Sequence, residues 1–174
     1  MYQRVGTEFG KYHIRRVLGA GGMAAVYYAL DATNGLPVAL KILSAQLATI
    51  PSFRQRFELE GHITARLAHP NIVPVLDYGV VGDGLYIAMR YLPGGSLHDR
   101  FVLEGTMGLQ ETGRYLEQLA SALDYAHVQG VIHRDLKLAN VLLDDNHCPL
   151  LSDFGIARLV ESSFHLTDSG SVLG

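Results

Sequence analysis

The chain has 174 residues, of which 48% are hydrophobic and 18% charged, and its formal net charge at pH 7 is -3. This composition is typical of a globular protein with enough apolar residues for a core, and it excludes the basic field that binds nucleic acid or anionic lipid. The single cysteine, Cys148, excludes an internal disulfide, and the absence of a signal-peptide pattern or a long apolar run predicts a cytoplasmic chain without a membrane segment.

Strand-like runs separated by turn residues fill the first half of the chain. The runs that predict strands are Tyr12–Gly19, Ala25–Asp31, Pro37–Leu43, Val73–Gly79 and Leu85–Tyr91. Asn34 and Gly35 favour a hairpin turn between the second and third runs. Ser52 and Gln55 form a capping-box pattern that predicts the start of a helix, and His69, before a proline, should end it. We therefore expect a five-stranded antiparallel sheet plus one helix.

After the glycine-rich break at residues 93–95 the pattern becomes helical. Ser96 is the predicted cap of a short helix that reaches about Val102, and a longer helix is predicted over Gln110–Gln129. The apolar face of the longer helix consists of Leu116, Leu119, Ala120, Leu123 and Ala126. The break therefore divides an α+β chain into residues 1–93, with the sheet, and residues 94–174, with the helices.

Two polar motifs carry the chemistry. Residues 133–140 read His-Arg-Asp-Leu-Lys-Leu-Ala-Asn, and residues 152–155 read Ser-Asp-Phe-Gly. Asp135 supplies a carboxylate that can orient a hydroxyl, Lys137 supplies a cation for a phosphoryl oxygen, and the oxygen ligands that Mg²⁺ prefers come from Asn140 and Asp153. At roughly 5% usage per residue type, chance would produce the seven fixed identities about once in a billion starting points. The seven positions are His133, Arg134, Asp135, Asn140, Asp153, Phe154 and Gly155. A polar loop without function is the alternative.

With these motifs the sequence resembles the eukaryotic-type (Hanks-type) serine/threonine protein kinase family. The loop at residues 21–23, the stretch at residues 69–73 and the final residues 169–174 resemble its bacterial branch. The resemblance implies a protein-kinase-like two-lobe fold, with a complete nucleotide-binding N-lobe in residues 1–93 and a partial helical C-lobe in residues 94–174. It also implies that ATP, with Mg²⁺, is the donor of a γ-phosphoryl group to a protein serine or threonine hydroxyl.

A glycine-rich turn lies between the first two predicted strands. A dinucleotide-binding fingerprint requires a helix after the turn, so the strand on both sides argues against one. The context fits a hairpin whose backbone can lie over a triphosphate, because Gly19, Gly21 and Gly22 leave room. Ala24 replaces the third glycine of the kinase pattern, and we expect it to stiffen the loop.

Lys41 and Glu60 are predicted to form an ion pair. Residues 38–41 match the third strand of kinases, which makes Lys41 the candidate ligand of the α- and β-phosphates. At 100° per residue, Glu60 lies in the middle of the apolar helix face, whereas Glu58 points to solvent. A buried carboxylate requires a cation, and Lys41 on the adjacent strand is the candidate. A solvated Glu60 on a displaced helix is the alternative.

The resemblance also implies the remaining site residues. The apolar lining of the nucleotide pocket would be Leu18, Val26, Ala39 and Leu142, although a role in the core alone is the alternative for each. Met89 would be the gatekeeper residue before a linker segment that includes Tyr91. The backbone of this linker would bind adenine. Asp135 would act as the catalytic carboxylate, and Lys137 is typical of serine/threonine kinases. His133 and Phe154 are expected to tie the two motifs together, and Thr167 and Ser169 are candidate autophosphorylation sites.

The resemblance covers only about two-thirds of the family's domain, and it ends within the activation segment. We therefore expect a fragment that exposes a contiguous apolar surface on the helix over Gln110–Gln129, is marginally stable and associates, with a homodimer left open. Low activity of the isolated chain is expected, and a longer parent protein could carry a membrane anchor. The alternative function is a non-catalytic nucleotide- or partner-binding module of kinase shape.

Overall fold

The computed structural model describes residues 4–21 and 24–154, which divide into two compact units. The first unit holds the chain up to Ala65 together with Pro74–Tyr91, and the second holds Arg66–Val73 and the chain from Leu92 onward. Residues 66–73 join the second unit because their backbone pairs with it: Val73 N donates to Leu151 O at 2.9 Å. The division predicted from the sequence, at residue 93, assigned residues 66–73 to the first part of the chain.

The first unit is built on a six-stranded antiparallel sheet in the order β1-β2-β3-β4-β6-β5. Its strands are β1 (Glu8–Phe9), β2 (Tyr12–Ala20), β3 (Ala24–Asp31), β4 (Pro37–Leu43), β5 (Val75–Val81) and β6 (Gly84–Arg90). The predicted number of five is wrong by one, because β1 has two residues and is too short for a period-two pattern. The turn at Asn34-Gly35 is present, and Gly35 adopts a φ of 72° there.

One face of this sheet carries the hydrophobic core of the first unit. Successive side chains of a strand point to opposite faces, and β3 accordingly alternates half-buried and buried residues along its whole length. The buried side chains of the core come from β1, β2, β3, β4 and β6 and are Phe9, Tyr12, Ile14, Ala25, Tyr27, Ala29, Val38, Leu40, Ile42, Tyr86 and Ala88. The opposite face of β3 carries the half-buried residues, and on the same face of β4 Lys41 is half-buried between buried Ala39 and Leu43.

A polar network closes the sheet at one end. The hydroxyls of Tyr12 and Tyr86 donate to Asp77 Oδ2 at 2.8 and 3.0 Å, and Lys11 Nζ lies 3.1 Å from the same oxygen. Burial and the hydrogen bond to Asp77 raise the pKa of Tyr86 to about 12. Because β2 and β5 are separated by three strands in the sheet order, the network shows that the sheet curls until the two strands meet.

The first unit contains two helices rather than the predicted one, α1 (Ala45–Ala48) and α2 (Pro51–Thr64). The capping box predicted at Ser52 is wrong: α2 begins at Pro51, a residue favoured at the first helical position, and its N-cap Ile50 makes no side-chain bond. The helix also ends earlier than predicted. Gly61 lets α2 approach β5 closely, since a Cβ at this position would lie 2.7 Å from Tyr78 Cδ2.

The second unit contains α3 (Leu97–Glu104), α4 (Leu109–Val128), a 3-10 turn (Leu138–Asn140) and a hairpin of β7 (Val141–Leu143) and β8 (Pro149–Leu151). The predicted cap of α3 is confirmed: Asp99 N donates to Ser96 Oγ at 3.1 Å, and Ser96 N donates to the Asp99 carboxylate at 3.1 Å. Within residues 4–21 and 24–154, none of the helices has the length and apolar character to cross a bilayer.

Helix α4 carries apolar residues on two faces. The face that packs inward is formed by Tyr115, Ala122 and Ala126. Four residues of the predicted apolar face line an open groove of about 790 Å³ that is formed with α3 and the following loop: Leu116, Leu119, Ala120 and Leu123. The expected exposed apolar surface is confirmed, since the Leu116 residue is 63% exposed.

Candidate functional site

Asp135 lies in the loop after α4, where two donors hold its carboxylate. Lys137 Nζ donates to Asp135 Oδ2 at 2.7 Å, and Asn140 Nδ2 donates to the same oxygen at 3.0 Å and to the Asp135 carbonyl at 2.8 Å. The hydrogen bond from Lys137 lowers the pKa of Asp135, opposed by partial burial and assisted by the bond from Asn140. Asp135 is therefore ionised at neutral pH and fixed in orientation.

His133 connects this loop to the segment that carries Asp153. Its buried ring donates from Nε2 to Ser152 O at 2.8 Å, and Nδ1 accepts from Asp135 N at 3.3 Å. A carbonyl oxygen only accepts, so the hydrogen bonds assign the Nε2–H tautomer. The ring centroid lies 4.6 Å from that of Phe154. Burial lowers the pKa of His133, which keeps the ring neutral at pH 7.

Asn140 and Asp153 are brought to neighbouring backbone positions by Ser152. The Asn140 carbonyl accepts from Ser152 N at 2.9 Å and from Ser152 Oγ at 3.0 Å, and Asp153 follows directly. Arg134 and Asp153 have φ angles of 66° and 63°, in the left-handed region that costs roughly 1–3 kcal/mol for a residue with a side chain. The hydrogen bonds between the two motifs maintain this backbone, and they gather all four predicted residues of the polar motifs in one unit.

The donor set of this site fits Mg²⁺. The amide nitrogen of Asn140 is bonded to Asp135, so the side chain presents an oxygen, Oδ1, as its ligand atom. Together with the Asp153 carboxylate, this would give two protein ligands. Mg²⁺ is commonly bound by one or two such groups plus substrate phosphates, rather than by an all-protein cage. The part of the chain that the structure describes contains no group of three His, Cys, Asp or Glu side chains able to hold a metal.

The register of the sheet places four predicted nucleotide residues on one face. Lys41 is paired with Val26, and Ala39 is paired with Met89. Directly paired residues share a face of an antiparallel sheet, and so do residues two apart in a strand. Lys41 is half-buried there, next to the apolar side chains that would contact a base. Leu142, the fifth apolar candidate, lies half-buried in β7 of the second unit.

Gly19 and Gly21 have open space beside them among the described residues. Gly21 N donates to Ala24 O at 2.9 Å, which closes the hairpin between β2 and β3. A Cβ added at Gly19 or Gly21 would meet no atom of the described residues within 4 Å, and the Leu18 residue is 38% exposed. The remaining sequence candidates Gly22, Gly155, Thr167 and Ser169 lie outside the described residues.

Glu60 lies in the last part of α2, in the same unit as Lys41, and it is half-buried. The fully buried positions of the helix are Phe53, Phe57 and Gly61, so Glu60 flanks the packed face rather than lying in its middle. Glu58 is exposed as predicted, and its carboxylate lies 3.6 Å from Arg54 Nε. The Lys41–Glu60 ion pair stays a prediction.

Sequence reasoning missed Arg16. Its Nη2 atom donates to the Tyr91 hydroxyl at 2.9 Å, and its guanidinium carbon lies 5.1 Å and 5.9 Å from the ring centroids of Tyr28 and Tyr91. The two rings pack edge to face with centroids 4.7 Å apart. Arg16 and Tyr91 are separated by 75 positions, so no local pattern could have indicated the contact.

The chain is similar to a known protein family and to curated bacterial proteins. The family model of the protein kinase domain matches residues 12–171. The serine/threonine-protein kinase PknH of Mycobacterium bovis is 39% identical over 171 residues, which is 98% of this chain and 28% of PknH. The serine/threonine-protein kinase PknJ of Mycobacterium tuberculosis is 45% identical over 172 residues, which is 97% of this chain and 29% of PknJ. The chain thus spans less than a third of the length of these curated relatives.

Solved structures show the same architecture. The crystal structure of a variant of the Mycobacterium tuberculosis PknI kinase domain has a TM-score of 0.79 and 37% identity, and the match covers 90% of this chain and 64% of the solved one. A second crystal structure of that domain has a TM-score of 0.75 and 39% identity, with 87% and 61% covered. The predicted protein-kinase-like α+β fold is confirmed.

Proposed function

The chain belongs to the protein kinase domain family, and from this premise we propose that it is the catalytic part of an ATP-dependent serine/threonine protein kinase. The observation that carries the proposal is the arrangement of the two polar motifs. Asp135 is ionised, bonded to Lys137 and Asn140, and tied through Ser152 to the segment of Asp153. These are the groups that phosphoryl transfer requires in fixed positions.

In the proposed reaction Asp135 orients the acceptor hydroxyl of a protein serine or threonine and accepts its proton late in the transfer. Its lowered pKa keeps it available as an acceptor at neutral pH. Lys137, bonded to the same carboxylate, places a positive charge beside the transferred phosphoryl group. Asn140 and Asp153 would hold Mg²⁺, which when bound neutralises charge on the phosphate oxygens.

The sheet face supplies the nucleotide contacts of the proposal. Lys41 would bind the α- and β-phosphates, with Glu60 as its proposed partner, while Val26, Ala39 and Met89 contact the base. The further nucleotide contacts proposed are Leu18, Gly19, Gly21, Gly22, Tyr91 and Leu142. The open space beside Gly19 and Gly21 supports the binding of a triphosphate against the backbone of the turn.

Partners and location follow from the same proposal. The substrate would be a protein hydroxyl, with Thr167 or Ser169 of this chain as sites of autophosphorylation. We place the chain in the cytoplasm, where ATP is available. The exposed groove along α4 supports association of the isolated chain, with a homodimer as the simplest form. No observation on the described residues favours the non-catalytic alternative.

Titration with Mg·ATP, followed by the thermal unfolding midpoint, tests the proposal. Asp153→Asn removes a proposed Mg²⁺ ligand and should weaken binding at least about tenfold, whereas Asp135→Asn should retain binding and abolish transfer to serine peptides. Asp145→Asn, at an exposed position between β7 and β8, is the matched control. Equal affinity of Asp153→Asn and the unchanged chain would contradict the assigned metal site. Absence of binding by the unchanged chain would contradict the function.

A further inference from the structure

We propose that Arg16 is a positioning residue for the nucleotide: it holds Tyr91 against the sheet and thereby fixes the linker backbone that binds adenine. The inference rests on the proposed function and adds a residue that the kinase motifs do not contain. Arg16, Tyr28 and Tyr91 are called the tyrosine clamp below.

The tyrosine clamp continues the proposed base-binding face. In the sheet register Arg16 is paired with Tyr28, Tyr28 with Ala39, and Ala39 with Met89. Paired residues share a face, so the row that carries two proposed base contacts ends in Tyr28 and Arg16. Tyr91 packs onto this end of the row, with its ring 4.7 Å from that of Tyr28.

The chemistry of the clamp suits a guanidinium. A planar guanidinium can stack on aromatic faces and donate in its own plane at the same time, which an ammonium cannot do as well. Arg16 stacks 5.1 Å from the Tyr28 centroid while it donates to the Tyr91 hydroxyl at 2.9 Å. Tyr91 is thus held by a ring contact and by a hydrogen bond at its far end. Its backbone is the last of the first unit.

A prepositioned linker lowers the entropic cost of binding. A ligand that forms hydrogen bonds to a mobile backbone must order that backbone, and the entropic cost of the ordering is subtracted from the binding free energy. The clamp orders Tyr91 before the base arrives, so its loss should weaken every ligand that carries adenine. A direct contact between Arg16 and phosphate would behave differently, because its loss should weaken ATP more than ADP and ADP more than adenosine.

The experiment measures the affinity of the full 174-residue chain for Mg·ATP, Mg·ADP and adenosine by calorimetry. Arg16→Gln should weaken all three by the same factor, roughly threefold to tenfold for a hydrogen bond and a cation–π contact. Arg16→Lys should give an intermediate loss. Tyr91→Phe removes only the hydroxyl, and adding it to Arg16→Gln should cause no further loss, because both changes remove the same bond. The exposed neighbour Arg15→Gln controls for charge and should leave affinity within about twofold.

The outcomes separate the two claims. If the unchanged chain binds the nucleotides and Arg16→Gln binds them equally well, the clamp is refuted and the proposed function stands. A loss that grows with the number of phosphates also refutes the clamp, in favour of a phosphate contact. If the unchanged chain binds none of the three ligands, the proposed function itself fails. If Arg16→Gln lowers the unfolding midpoint of the free chain, its loss of affinity could reflect misfolding. The affinities of Tyr91→Phe then decide whether the clamp contributes, because that variant deletes only one exposed hydrogen bond.

Discussion

The loop that carries Asp135 and the groove along α4 are neighbours in the second unit, and they differ in how completely their groups are paired. In the loop, the Asp135 carboxylate is bonded to Lys137 and Asn140, and the His133 ring is bonded to the carbonyl of Ser152. In the groove, Leu116 and Leu136 are 63% and 56% exposed. The polar site is therefore specified locally, whereas the apolar surface beside it has no covering residues in the described part of the chain.

Of the changes made within the loop and the groove themselves, breaking the polar network should have the largest effect on stability. Asn140→Ala removes two hydrogen bonds to Asp135 at a buried position and leaves an ionised carboxylate with one donor fewer. We expect the free energy of unfolding in urea to fall by about 2 kcal/mol. Asn146→Ala, at an exposed position in the β7–β8 turn, should change it by less than about 0.5 kcal/mol. Equal effects of the two variants would show that the loop does not depend on its network.

The tie between the two polar motifs should make stability depend on pH. Burial lowers the pKa of His133 below its ordinary 6.5, so between the folded and unfolded pKa values the unfolded chain binds more protons. Stability from this residue is therefore complete above pH 6.5 and is lost as the pH falls below it.

The comparison that checks this is urea unfolding at pH 7.5 and pH 5.5, values that lie about one unit on either side of the ordinary histidine pKa. The unchanged chain should lose up to about 1 kcal/mol more than His133→Phe, which keeps a ring beside Phe154 but cannot titrate. The exposed His127→Gln should behave like the unchanged chain. An identical pH dependence of all three would disprove the role of His133.

Changes in the groove should hardly affect stability. Leu116→Gln replaces an exposed leucine and should alter the free energy of unfolding by less than about 0.5 kcal/mol, while sedimentation velocity should show weaker association of the chain. Ala122→Gln, on the buried face of the same helix, should cost more than about 2 kcal/mol. If Leu116→Gln sedimented like the unchanged chain, the proposal that the chain associates through the groove would be contradicted.

The fold was predictable where elements are long and periodic. Strand β4 has the predicted bounds, and the cap of α3 at Ser96 is confirmed because its partner lies three residues away. Strand β1 was missed because two residues carry no period. The start of α2 was misplaced because Pro51 begins the helix ahead of the Ser-x-x-Gln pattern. In α4, periodicity identified an apolar face, but periodicity does not distinguish a packed face from an open one.

The site was predictable in its composition and less so in its geometry. Residue types at fixed spacing predicted Asp135 and Asn140 as site residues, because phosphoryl transfer restricts which groups can act, and the structure bonds the two side chains to each other. The left-handed backbone of Asp153 was not predictable, since it depends on bonds between Ser152 and Asn140, twelve residues apart. The Arg16–Tyr91 contact was not predictable at all, because it depends on how the sheet brings distant strands together.

The shared carboxylate of Asp77 also bears on how copies of this chain can meet. Strands β1 and β5 are the outer strands of the sheet, and unpaired backbone groups on such strands commonly recruit a strand from another molecule. Here Phe9 of β1 packs on Tyr86 with centroids 5.8 Å apart, and Tyr12 next to it is bonded to Asp77 of β5. An incoming strand would have to separate these pairs first. Amyloid-like growth from the sheet is therefore hindered. Association between copies of the chain should begin instead at the exposed apolar surface of the second unit.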